Sequence, residues 1–212
     1  MSHRQRSLVL RKEASGESFL KLHLLSPEKG IQLCLKRVSF KGSAAKPSPD
    51  LFDTAEVQLD TSKHGTAQFV SDYQLMHRRS EIGRRYRSLR YASEFCNLLV
   101  LNGTHMADLP ALYQLAENSL NAFAERSTAE VVYLKSLYLL LKDEGYPVRE
   151  SWWPQLPSAL RAQTRDLLQQ PAPDDISKAL QADCEASTRN LLNWLRRESD
   201  LMLPEAVAGQ WD

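Results

Sequence analysis

Cysteine is scarce in this chain: Cys34, Cys96 and Cys184 are three in 212 residues, far apart and without a C-x-x-C pair. That excludes a disulfide framework and a thiolate zinc site, and it predicts buried free thiols in a reducing compartment. Long apolar runs are lacking too. None reaches the ~18 residues a membrane span needs, and the opening MSHRQRSLVLRK has no apolar stretch of secretory length, so a cytoplasmic protein with no membrane partner is expected. Enzyme signatures are also missing: there is no G-x-x-x-x-G-K-[ST], G-x-G-x-x-G, H-E-x-x-H or G-x-S-x-G. His3, His23, His64, His77 and His105 lie singly, without metal-ligand spacing. The acidic pairs Asp143-Glu144 and Asp174-Asp175 fall at expected helix ends, where a dipole role accounts for them. No catalysis, metal or cofactor is expected.

What the chain does have is a change of period. From Ser7 to Met76 it reads as short extended segments: SLVLRK, SFLKLHLL, IQLCLKRVSF, AEVQLD and TAQFVSDYQL. Leu20, Leu22 and Leu24 alternate with Lys21 and His23 as a half-buried strand requires, and Ser-Pro-Glu-Lys-Gly ending at Gly30 is turn chemistry. Five short strands in about seventy residues predict a small closed barrel, with the OB-fold the commonest five-stranded form and an SH3-like barrel the alternative. KGSAAKPSPD, between the third and fourth strands, reads as a loop.

From His77 the period becomes about 3.6. Helices are expected over His77–Leu101, from Asp108 as cap, after a Ser127/Glu130 capping box, over Gln155–Gln169 and over Asp174–Ser199. The fold class is therefore α+β: an OB-type barrel over residues 1–76 followed by an all-α bundle over 77–212.

Charge supplies the functional expectation. The formal net charge is only +1, but residues 1–90 carry 17 Lys and Arg against 9 Asp and Glu, while residues 91–212 carry 10 against 17. Halves of +8 and −7 direct a polyanion to the N-terminal half. From His77 to Arg90, six arginines face one glutamate, and Arg78, Arg79, Arg84, Arg85 and Arg87 are candidate phosphate contacts. Lys36, Arg37, Lys41 and Lys46, on the third strand and the loop beyond, form a second basic group where OB barrels meet single strands. Phe40 and Phe52 flank that loop as candidate stacking faces. Trp152 and Trp153 are costly to leave in water, so they either cover the helical core or mark a protein-binding site.

Particular residues resemble the bacterial recombination mediator family RecO. Gly16-Glu17-Ser18, the Leu20/Leu22/Leu24 strand and the turn ending at Gly30 are similar to that family's opening hairpin. Lys36, the basic loop and Leu51-Phe52 look like its lysine-bearing third strand and following aromatic. The helix from Leu134 to Asp143, closing on Gly145-Tyr146, is similar to its apolar helix. The likeness extends to about residue 150. Where many relatives carry a four-cysteine zinc site, this chain has Pro147 to Trp153; Arg37 stands where glycine is usual, and Ser136 where an aromatic is common. The resemblance implies a nucleoid-associated DNA repair protein that binds single- and double-stranded DNA, anneals complementary strands and assists RecA loading. The partners it implies are a RecR-like protein and the acidic C-terminal tail of single-strand binding protein, for which Lys135 falls on the family's basic position. A non-catalytic protein-interaction adaptor with the same fold, using Trp152 and Trp153, is the alternative.

Overall fold

The computed structural model describes residues 2–38, 48–62 and 65–204. Five strands, β1 (Ser2–Ser15), β2 (Phe19–Ser26), β3 (Gly30–Arg37), β4 (Thr54–Thr61) and β5 (Gln68–His77), close into a barrel of order β1-β2-β3-β5-β4. The β3–β5 pair is parallel and the others antiparallel, the arrangement of an OB-type barrel. The alternation of β2 aims Leu22 and Leu24 inward beside Cys34, Val57, Leu59 and Tyr73. β1 is more than twice the length of SLVLRK because it serves two neighbours: Ser2–Leu8 pairs with β4, and Leu8–Ser15 with β2, across an irregularity between Val9 and Arg11. Burial pushes the Cys34 thiol up to about 12, so it stays protonated, as does the buried Cys184 in the bundle.

The barrel's β3–β4 connection ends on a buried carboxylate. Asp53 is fully enclosed, and it accepts from Arg78 Nε at 2.9 Å and Nη2 at 2.7 Å, from Tyr73 Oη at 2.8 Å and from the Asp50 backbone N–H at 2.9 Å. Phe52 holds a left-handed φ of 67°, and Arg79 fixes its carbonyl with a 2.6 Å bond.

The chain divides into two compact units: Met1–Arg79 with Gly103–Glu117, and Ser80–Asn102 with Asn118–Asp212. Segment Gly103–Glu117 thus belongs with the barrel, and the reason is local. Glu117 accepts from Arg6 at 2.7 Å, and the Leu109 side chain lies over Gly30, where an added Cβ would approach it to 2.9 Å at a φ of +65°.

Seven helices follow the barrel among the described residues: α1 (Ser80–Arg84), α2 (Tyr86–Asn102), α3 (Leu109–Glu125), α4 (Ala129–Asp143), α5 (Trp153–Gln155), α6 (Ser158–Gln169) and α7 (Lys178–Glu198). The single helix expected over His77–Leu101 is corrected twice. β5 keeps the chain extended to His77, and the helix breaks at Arg85, two residues after Gly83, the poorest helix former in the run. The expected capping box is not formed. The Ser127 and Thr128 hydroxyls donate to the carbonyls of Asp174 and Pro173, and Glu130 turns to Arg87. Trp152 closes a π-helical turn, Val148–Trp152, and Trp153 opens α5 directly after it. No helix among the described residues is long and apolar enough to cross a membrane.

Replacing Arg78 by alanine strands the Asp53 carboxylate in a dry site. We expect a loss of about 2–3 kcal/mol, below the roughly 3–5 of a fully enclosed pair because the guanidinium is partly solvated. Urea unfolding of the Arg78→Ala and Arg78→Ala/Asp53→Asn chains checks this: the double variant should recover part of the loss.

Candidate nucleic-acid interface

Alternation places two kinds of residue on each barrel strand, and the outward set is distinctive on β1, β2, β3 and β5. Lys21 lies between Glu13 of β1 and Leu35 of β3, and Leu35 in turn lies beside Phe69 of β5. Phe19 pairs across to Arg37, and His23 lies between Arg11 and Leu33. The rings of Phe19 and Phe69 meet edge to face, 6.1 Å between centroids. Both are half-buried, while Leu33 is 51% exposed. Arg37 is exposed and has no ion-pair partner among the described residues. The result is an apolar, aromatic strip edged by Arg11, Lys21 and Arg37.

The basic residues singled out in the sequence are not gathered there as a set. Arg37 is on the strip, whereas Lys36 shares the inward parity of Cys34 and lies across from Leu20 at the barrel's end. Lys41, Lys46 and Phe40 lie outside the described residues. Phe52 is buried. Arg78 is held by Asp53, and Arg79, 3% exposed, gives its donors to Phe52 O and Thr54 Oγ1. Arg84 pairs with Glu81 at 2.6 Å. Arg85 donates to the carbonyls of Phe123, Ala124 and Arg126 at the end of α3, satisfying acceptors that the helix itself leaves open. Arg87 meets Glu130, a buried carboxylate, and lies 3.6 Å from Glu185. The cationic run of sequence is thus largely spent on holding its own fold.

Counting charge by fold rather than by sequence half also changes its size. The barrel unit holds 13 Lys and Arg against 10 Asp and Glu, and the helical unit 14 against 16. The barrel excess of three equals Lys41, Lys46 and Lys63, which lie outside the described residues.

The helical unit carries a separate feature. A cleft of about 520 Å³ is walled by Tyr138, Leu139, Trp153 and Leu168 and ringed by Lys142, Arg149 and Arg165. No carboxylate lines it, although the unit is acidic overall. Arg149 reaches the Tyr138 hydroxyl at 3.3 Å; Lys142 and Arg165 form no ion pair among the described residues. Of the partner-binding candidates, Trp153 lines this cleft. Trp152 is fully buried, donating to Asn190 at 2.9 Å. Lys135 caps the end of α6, donating to the carbonyls of Leu167, Leu168 and Gln170, and burial holds its ammonium below the usual lysine value. Sequence reading missed Lys142, Arg149 and Arg165. The i, i+4 spacings Tyr138/Lys142 and Arg149/Trp153 were the available signal.

Arg87→Ala should destabilise the helical unit by about 1–3 kcal/mol, because Glu130 is left as a buried unpaired carboxylate. Thermal melts should show Arg87→Ala/Glu130→Gln more stable than Arg87→Ala alone. In comparison with known proteins, no family model matches the chain, and no curated protein matches it in sequence.

Proposed function

We propose that this chain is a non-catalytic DNA-binding protein that takes single-stranded DNA on the outer face of β1, β2, β3 and β5. In this reading it works as a recombination mediator of the kind its resemblance to RecO implies, annealing complementary strands and assisting RecA loading. The observation that carries the reading is the Phe19–Phe69 pair beside Leu33 and Leu35, flanked by Arg11, Lys21 and Arg37. The strand 2–3 face is where OB barrels bind oligonucleotides. Bases stack on aromatic rings there at about 1–3 kcal/mol each, and guanidinium and ammonium groups at the edge meet the phosphates. Duplex DNA hides its base faces, so it engages only the cationic edge and binds more weakly. The arginines Arg78, Arg79, Arg84, Arg85 and Arg87 are engaged by partners within their own units and are not counted among the cations of this face.

Three edge cations give a salt slope of about −2 in log affinity against log salt for a single strand. A labelled oligo-dT of about 15 nucleotides should therefore lose affinity about fifteenfold between roughly 50 and 200 mM salt. Arg37→Ala should shallow the slope by about 0.7, and Phe19→Ala or Phe69→Ala should each weaken binding about tenfold without changing the slope. Fluorescence anisotropy reads all three. Binding unaffected by both phenylalanine variants sinks the assignment of the face.

A second reading, a protein-interaction adaptor, is supported by the cleft of the helical unit. Its aromatic walls and unopposed cations suit an acidic segment ending in an aromatic residue, such as the tail of single-strand binding protein. A labelled peptide of that chemistry should bind, with Trp153→Ala removing most of the affinity and Lys142→Ala or Arg165→Ala each weakening it about threefold. A peptide with the acidic residues made neutral should not bind. A RecR-like partner is proposed on the resemblance alone.

A further inference from the structure

The proposed DNA face holds one carboxylate where a phosphate-binding surface has no use for it. Glu13 on β1 lies directly across from Lys21 and diagonal to His23, which itself lies across from Arg11. It forms a close ion pair with the Arg11 guanidinium and a second with Lys21 Nζ at 3.4 Å. Burial acts against its charge, but Arg11 and Lys21 outweigh burial and hold the carboxyl below its ordinary range, so Glu13 is ionised. His23 is half-buried beside this group, and its Nδ1 is enclosed with no hydrogen-bond partner among the described residues. An enclosed polar atom without a partner is costly. Here the half-buried ring that carries it lies next to two cations that already share one anion.

A carboxylate offers two acceptor oxygens and one negative charge, and so does the non-bridging pair of a phosphodiester. We infer that Arg11, Lys21 and His23 form a seat for a backbone phosphate and that Glu13 fills the seat in the free chain, so DNA binds by displacing an internal carboxylate. The inference rests on the proposed DNA-binding face. In it Glu13 is a brake. It lowers affinity for every polyanion while keeping two cations from repelling each other across the strand pair.

His23 adds a dependence on pH. The groups facing it are Arg11 and Glu13 from β1 and Lys21 from its own strand; β3 presents the uncharged Leu33. Burial, then Arg11 and Lys21, hold the imidazole below its ordinary value, so it is neutral at pH 7. A phosphate in the seat adds a negative charge beside the imidazole and favours its protonated form, so the bound value lies above the free one. A group whose value rises on binding takes up a proton with the ligand. Affinity is therefore greatest below the free value and is lost as pH rises through the bound one.

The test is anisotropy with oligo-dT on the full chain, its Glu13→Gln and Glu13→Ala variants, and His23→Gln. Both Glu13 variants should bind about two- to fivefold more tightly than the natural chain at neutral pH, the range expected when an exposed competing ion pair is removed. Binding by the natural chain should tighten between pH 7.5 and 5.5, and His23→Gln should flatten that change. Glu13 variants that bind no better than a natural chain which itself binds would overturn the seat and leave the DNA face standing. No binding by any of the chains would overturn both.

Discussion

A carboxylate buried out of reach of water has to be neutralised from within the protein, and the barrel is organised around one such group. Asp53 precedes β4; Tyr73 and Arg78 belong to β5 and the residues just after it. Their bonds to one side chain join the entry of one strand to the exit of its antiparallel neighbour. Burial, then the bond to Asp53, raises the Tyr73 phenol well above its ordinary value, and the bond to Asp53 does the same for Arg78; both groups keep their protons at any physiological pH. Neither donor therefore gives up its proton, and the geometry is a fixed constraint. Next to it, Arg79 holds the carbonyl of Phe52, the one described non-glycine residue with a left-handed φ. Two arginines that look like a phosphate clamp in the sequence are consumed in making a tight chain entry tolerable.

The same logic extends along the rest of the arginine run. A guanidinium has five donors, and a helix terminus has carbonyls that nothing in the helix can satisfy. Arg85 matches the two, bonding three carbonyls at the end of α3. Arg87 neutralises Glu130, which is buried one residue into α4. Arginine density therefore reports a need for donors as readily as a need for charge. Only burial and partners separate the two, and neither is a property of local sequence.

What alternation could convey was legible. The Leu20, Leu22, Leu24 pattern, the turn at Gly30 and the five extended segments were enough for a closed five-stranded barrel followed by helices, because period 2 and period 3.6 reflect backbone geometry directly. The strand order was not legible, since nothing local records that β3 lies parallel to β5. The outward residues were hidden for the same reason. Phe19 and Phe69 are fifty residues apart, and only the β3–β5 pairing brings them within 6.1 Å. In the helical unit, Lys142, Arg149 and Arg165 come from three elements, and their meeting depends on how those elements pack. Lys135 was read for its charge, but its three carbonyl acceptors on α6 exist only in the folded chain.

The charge balance decides which force must dominate at the proposed interface. An excess of +8 in residues 1–90 suggests affinity built on counterion release. Regrouped by compact unit, the excess falls to three, because Asp108 and Glu117 join the barrel while Glu81, Arg84, Arg85, Arg87 and Arg90 leave it for the helical unit. An electrostatic surface that weak cannot hold a strand at physiological salt through phosphates alone, since each contact yields only a slope of about 0.7. Stacking has no such limit. It is insensitive to salt, it grows with each exposed ring, and it requires bases that are not already paired. In the proposed reading, a modest charge excess beside an edge-to-face phenylalanine pair favours unpaired strands over duplex, and stacking is a stronger physical ground for that proposal than the arginine run.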